Sequence, residues 1–126
     1  GVSNAITVAA REVADNINVK VICCFTHGGT TAELASRERP RAPIIALTPH
    51  TETARKLTLF WGLHCAVTTP VDRFKRAVMN AVKAAKLFDF ASVKDLIIIT
   101  AGVPFNTPGS TNILRVVSLE ENFDNF

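Results

Sequence analysis

At 126 residues with 48% hydrophobic content and few aromatics, the chain is the size of one domain and has the apolar side chains for one packed core. Lys and Arg total 14 against 11 Asp and Glu, a net charge of +3 spread along the chain, which fits a mildly basic globular protein and argues against a nucleic-acid binder. Three cysteines without a C-x-x-C pair argue against a secreted disulfide framework and for a reducing cytoplasm, and the apolar runs fall far short of the roughly 18 residues a membrane span needs.

Helix and strand periods alternate from the start. Ile6, Ala9, Ala10, Val13, Ala14 and Ile17 recur at helical spacing after Ser3 and Asn4, which predicts an amphipathic helix over about 4–16. Val19 to Phe25 is apolar on both faces, the pattern of a buried parallel strand. After Gly28 and Gly29, Thr30-Thr31-Ala32-Glu33 offers a capping box for a short helix ending before Pro40. "PIIALT" is a second buried strand. Thr48 followed by Pro49 reads as an N-cap with proline at the first helical position, opening a third helix that Gly62 stops. "LHCAVTT" is the third strand, and Val71, Phe74, Val78, Ala81, Val82 and Ala85 mark a helix over about 71–87. "DLIIITAG" is the fourth strand and "ILRVVSL", after a Pro/Gly loop, the fifth.

Helical crossovers between strands are right-handed, so four strands should be parallel. The last returns after a loop too short for a helix and should lie antiparallel at an edge. The expectation is a three-layer α/β/α sandwich over residues 1–119, with a five-stranded mixed sheet and a tail, 120–126, that frays. Beginning at Gly1 rather than Met, the chain reads as an excised piece of a longer protein or as one carrying a tag.

In such sheets ligands sit beyond the carboxyl ends of the strands, where helix N-termini aim their free N–H groups. Thr26, His27, Gly28, Gly29, Thr30 and Thr31 occupy that place after the first strand. Glycines allow close backbone approach, hydroxyls donate, and the helix end adds partial positive charge, a combination suited to a phosphate. The alternative is a tight turn with an N-cap. No lysine follows the glycines and the G-x-G-x-x-G spacing is absent, so neither a nucleotide P-loop nor a dinucleotide fingerprint is present.

Three segments carry a resemblance: "FTHGGTTAEL", "RPRAPIIALTPHTETARKLTLFWGL" and "DLIIITAGVPFNTPGSTN", together covering most of residues 2–118. They resemble the C-terminal domain of pyruvate kinase, the first matching its effector loop. The resemblance implies a parent enzyme that transfers phosphoryl from phosphoenolpyruvate to ADP, with Mg²⁺ and K⁺, in a barrel domain preceding this one. A (β/α)₈ barrel takes about 250 residues, so the chain holds none of it and is expected to be inactive alone. The domain itself would need no cofactor. It would bind an allosteric effector and form an interface of a tetramer. By the same likeness Thr26, Gly29, Thr30 and Thr31 take an effector phosphate, with His27 and Gly28 at variable positions. Gly102, Pro108, Gly109, Ser110, Thr111 and Asn112 match a second loop that closes over the ligand.

One region departs from the family pattern. Members regulated by fructose bisphosphate carry a Trp and an Arg for a second phosphate, where this chain has a shortened "TTPVDRFKRAV". Arg73 and Arg76 are the candidates for that contact. A monophosphorylated sugar, AMP, inorganic phosphate or no effector remain, and a free-standing α/β enzyme using the same loop for a small phosphorylated substrate is the alternative function.

Other residues have simpler readings. His27, His50 and His64 lack metal-ligand spacing, and Cys23 and Cys24, on opposite strand faces, are buried small apolar residues. Arg37, Arg39 and Arg41 mark a solvated loop, and Trp61 is a packing residue. Arg115 either protects an exposed strand edge or pairs across a subunit interface.

Overall fold

The computed structural model describes residues 1–105 and 111–120. Its elements in chain order are α1 (Val2–Asn16), β1 (Val21–Phe25), α2 (Thr30–Arg37), β2 (Ile44–Thr48), α3 (Thr51–Leu57), β3 (Leu63–Val67), α4 (Phe74–Leu87), β4 (Leu96–Ala101) and β5 (Ile113–Ser118). One five-stranded sheet has the order β3-β2-β1-β4-β5. β1 to β4 are parallel and β5 runs antiparallel along β4, with Ile99 opposite Arg115. This is the expected mixed sheet.

The central strands are apolar on both faces because helices cover both. Val21, Cys23, Ile45, Leu47, Ile97 and Ile99 pack against Val78, Ala81, Val82 and Ala85 of α4. Ile22, Cys24, Ile44, Ala46 and Ile98 point the other way, onto Ala10 and Ala14 of α1, Ala32 and Ala35 of α2, and Leu57 of α3. Cys23 and Cys24 thus lie on opposite faces. Alanine dominates the helical side of both layers, which lets the helices sit close to a sheet of isoleucines.

The crossovers place the site. From β1 the chain steps outward to β2 and β3 through α2 and α3 on one face, then returns through α4 on the other and adds β4 on the free side of β1. The connections leaving β1 and β4 therefore diverge, and a crevice opens at their carboxyl ends.

Three helix starts differ from the sequence expectation. Gly29 rather than Thr30 is the N-cap of α2, and no side chain caps it. The Gly29 N–H donates to Thr26 Oγ1 at 3.0 Å, closing a turn that holds Gly29 at φ +98 and so sets where the helix begins. Glu33 then falls one position too late for a capping box, and its carboxylate lies 3.9 Å from Lys56 Nζ. Thr48 is not an N-cap either. It is the last residue of β2, paired with Val67, and as the residue before Pro49 it keeps an extended backbone. His50 precedes α3, which ends at Leu57, well before Gly62. α4 opens at Phe74 rather than Val71, because Val71 is buried in the wall of the crevice.

Candidate anion site

The crevice is a cavity of about 240 Å³. Thr26, His27, Gly28, Thr30 and Thr31 form one wall, Thr68 to Val71 a second, and Gly102, Phe105 and Thr111 a third, with Leu47 and Pro49 beneath. Thr26 and Thr31 are buried and Thr30 is exposed.

The two buried hydroxyls of the loop have defined partners. Thr26 Oγ1 accepts from the Gly29 N–H, which leaves its own hydrogen to donate. Thr31 Oγ1 and Thr111 Oγ1 are 2.8 Å apart in a buried pair, tying the start of α2 to the segment entering β5. The first N–H groups of α2, on Thr30, Thr31 and Ala32, precede any i−4 carbonyl within the helix, so no carbonyl of the helix takes them.

The loop is anchored from beneath. The His27 carbonyl accepts from Thr53 Oγ1 at 2.9 Å and from Thr48 Oγ1 at 3.5 Å, and Lys56 Nζ donates to the Gly28 carbonyl at 3.2 Å. Its carbonyls are thereby turned toward α3. Opposite, the Asn112 side chain clamps the segment after β4: Nδ2 donates to the Val103 carbonyl at 2.7 Å and Oδ1 accepts the Val103 N–H at 2.9 Å.

Of the residues singled out from sequence, Thr26, His27, Gly28, Thr30, Thr31, Gly102 and Thr111 meet in this cavity, and Gly29 stands behind it as the turn. Gly109, Ser110 and Pro108 lie outside the described residues. Arg73 and Arg76 are exposed at the start of α4 and do not belong to the described wall. The wall residues that sequence reasoning missed are Phe25, Leu47, Pro49, Phe105 and Thr68 to Val71. Their common signal is position, just at or beyond a strand's carboxyl end.

The histidines separate into two places. His27 and His50 come together, ring centroids 5.7 Å apart, whereas His64 sits on β3 with its ring edge-on to Phe90 at 4.7 Å. Among the described residues no group of three or more His, Cys, Asp and Glu is placed to hold a metal ion. Burial pushes the Cys24 thiol up to about 11 and pushes Cys23 further still. Both are poor nucleophiles at neutral pH.

Arg37, Arg39 and Arg41 are exposed, and the Arg39 guanidinium lies 4.7 Å over the half-exposed Trp61 ring. Arg115 is half-buried, 5.3 Å from the centre of the Phe74 ring. Among the described residues no helix is long and apolar enough to cross a membrane.

A mainly parallel sheet covered by helices on both faces, which opens at a reversal of strand order into a crevice lined by glycines, hydroxyls and a helix start, belongs to the doubly wound α/β class. Residues 4–117 match the family model described as "Pyruvate kinase, alpha/beta domain", and the chain belongs to that family. Curated pyruvate kinases agree. One from Methylorubrum extorquens is 42% identical over 114 residues, 90% of this chain and 24% of its own length. One from Agrobacterium vitis is 44% identical over 113 residues, again 90% and 24%, and one from Staphylococcus saprophyticus is 42% identical, covering 90% and 19%. The crystal structure of a pyruvate kinase from Cryptosporidium parvum superposes with a TM-score of 0.85 at 31% identity, over 94% of this chain and 23% of that one. The chain thus spans a quarter or less of the length of these relatives.

Proposed function

We propose that this chain is the C-terminal regulatory and assembly domain of a cytoplasmic pyruvate kinase, and that its 26–31 loop holds one phosphate group of an effector. The observation that carries the reading is the convergence, at the point where the strand order reverses, of the Thr26 to Thr31 loop with Thr111. Buried hydroxyls and the free N–H groups of α2 together suit an anion that arrives with its own charge. That Arg73 and Arg76 stand outside the described wall supports a single phosphate, as in a sugar monophosphate, AMP or inorganic phosphate, over fructose bisphosphate.

In this reading the parent enzyme makes pyruvate and ATP from phosphoenolpyruvate and ADP in a separate barrel domain, which also holds the Mg²⁺ and K⁺. This domain reports effector binding to that barrel and joins subunits through the β5 edge. The small share of each relative that the chain covers supports its being one part of a larger phosphotransferase.

The test is a thermal-shift series with phosphate, AMP, glucose 6-phosphate and fructose 1,6-bisphosphate on the wild type, Thr26→Ala and Thr31→Ala, each against its own ligand-free melting point. Ligand at about 100 times its Kd stabilises by roughly 2.7 kcal/mol, which is roughly 10 °C for a domain of this size. The wild type should shift and both variants should shift less. Equal shifts in all three would leave the loop as a structural turn. A coupled assay should find no phosphoenolpyruvate-dependent ATP formation by the chain alone, and turnover proportional to its concentration would refute the regulatory assignment.

A further inference from the structure

The anion reading leaves the charge balance of the site open, and the histidine pair addresses it. Among the described residues of the cavity wall, His27 is the one with a titratable side chain. His50 stands beside it with its ring tilted by 47°. The fold sets this spacing: the His27 carbonyl is fastened to Thr53 and Thr48, and the His50 N–H donates to the same Thr48 Oγ1 at 3.2 Å. Buried Thr48 is therefore the post to which both histidine backbones are tied.

The charged groups on the surrounding elements lie outside the described wall. Lys56 on α3 is bonded to the Gly28 carbonyl and lies 3.9 Å from Glu33 of α2. Glu52 and Arg55 of α3 are exposed, as are Asp72, Arg73 and Arg76 around the start of α4, and none of these belongs to the described wall. A bound dianion would be matched by positive charge on either ring. Anion binding and proton uptake are then linked.

We infer that His27 and His50 supply the titratable positive charge of the site, so that it selects a dianionic group and binds it more tightly as pH falls through the range where imidazoles ionise. This deepens the anion reading of the loop and rests on it. His27 bears on the anion from the wall, and His50 acts on it through His27 and at longer range.

Sulfate is the probe, because it carries two charges throughout this range and its own ionisation does not enter. Calorimetric titration of the 126-residue chain at constant ionic strength should give a Kd roughly tenfold lower at about pH 6 than at about pH 8, the linkage expected for a mean uptake of about half a proton across that range. A His27→Gln, His50→Gln double variant should lose that gain, and a His27→Lys, His50→Gln variant should bind without pH dependence. By NMR, saturating sulfate should raise the titration midpoint of His27 and leave His64, packed on Phe90, unmoved. Sulfate binding that is equal at both pH values, or a pH gain that survives in the double variant, overturns the inference while leaving the anion site standing. No sulfate binding at either pH overturns the anion site itself.

Discussion

Gly28 and Gly29 are neighbours in sequence, but the structure asks opposite things of them. Gly29 sits at φ +98, and an added Cβ would stand 3.0 Å from Leu57 Cδ2 and 3.4 Å from Thr53 Cγ2. The left-handed backbone costs an alanine about 1–2 kcal/mol. Leu57 is fully buried, so moving its side chain off its rotamer adds about 1 kcal/mol. Against this, the loss of unfolded-chain freedom on replacing glycine returns about 0.4–1 kcal/mol. Gly29→Ala should therefore destabilise by about 2 kcal/mol. With an unfolding entropy near 2.1 cal/mol/K per residue, that lowers Tm by roughly 8 °C. Gly28 has an ordinary φ and nothing within 4 Å of an added Cβ. Gly28→Ala should leave Tm unchanged or raise it by about 2 °C. Calorimetric melting of both variants beside the wild type is the assay. Equal melting points for the two, or a Gly29→Ala protein within about 2 °C of wild type, would refute the claim that the turn at Gly29 fixes the start of α2.

The buried Thr31 and Thr111 hydroxyls should behave as a pair. Thr31→Val strands the Thr111 hydroxyl and should cost about 1–3 kcal/mol in urea unfolding, whereas the Thr31→Val, Thr111→Val double variant should recover part of that loss; additive costs would argue against the pair. The buried thiols predict a pH effect of definite sign. The folded-state value of Cys24, about 11, is raised above its ordinary 9.0, so its contribution is complete below pH 9 and is lost as pH rises toward 11. Urea midpoints should hold steady from about pH 7 to 8.5 and then fall, and a Cys23→Ala, Cys24→Ala variant that kept the same alkaline slope would contradict this. The outer side of β5 has no further strand among the described residues, and two copies joined there should sediment as a dimer that Arg115→Glu weakens. A chain that stays monomeric at high concentration, with or without the substitution, would remove the edge from the assembly account.

The fold was legible because its signals repeat. Ile97 to Ile99 and Ile44 to Leu47 are apolar on both faces, which only a doubly covered parallel strand explains, and the short loop before Ile113 dictated an antiparallel return. Helix starts were less legible, since local capping signals lost to longer-range ties. Thr48 carries the right side chain for an N-cap, but its ladder to Val67 keeps it in the sheet. Gly29 took the cap from Thr30 because Thr26 fixes the turn behind it. At the site, the loop after β1 could be read directly, since glycines and threonines cluster in sequence there. Thr68 to Val71 could not, because what brings them to the cavity is the order of the strands. The meeting of His27 and His50 was equally hidden, as it depends on Thr48 and Thr53 gripping one carbonyl across two elements.

The central claim is that the start of α2 and the loop before it cradle a phosphate. An amide NMR titration of the chain with inorganic phosphate tests it residue by residue. The account predicts a saturable response, with the largest shifts at Gly28, Thr30, Thr31 and Ala32 and a smaller one at Thr111 across the cavity. Shifts centred instead on the exposed arginines at 37, 39 and 41, or no response at millimolar phosphate, would contradict it.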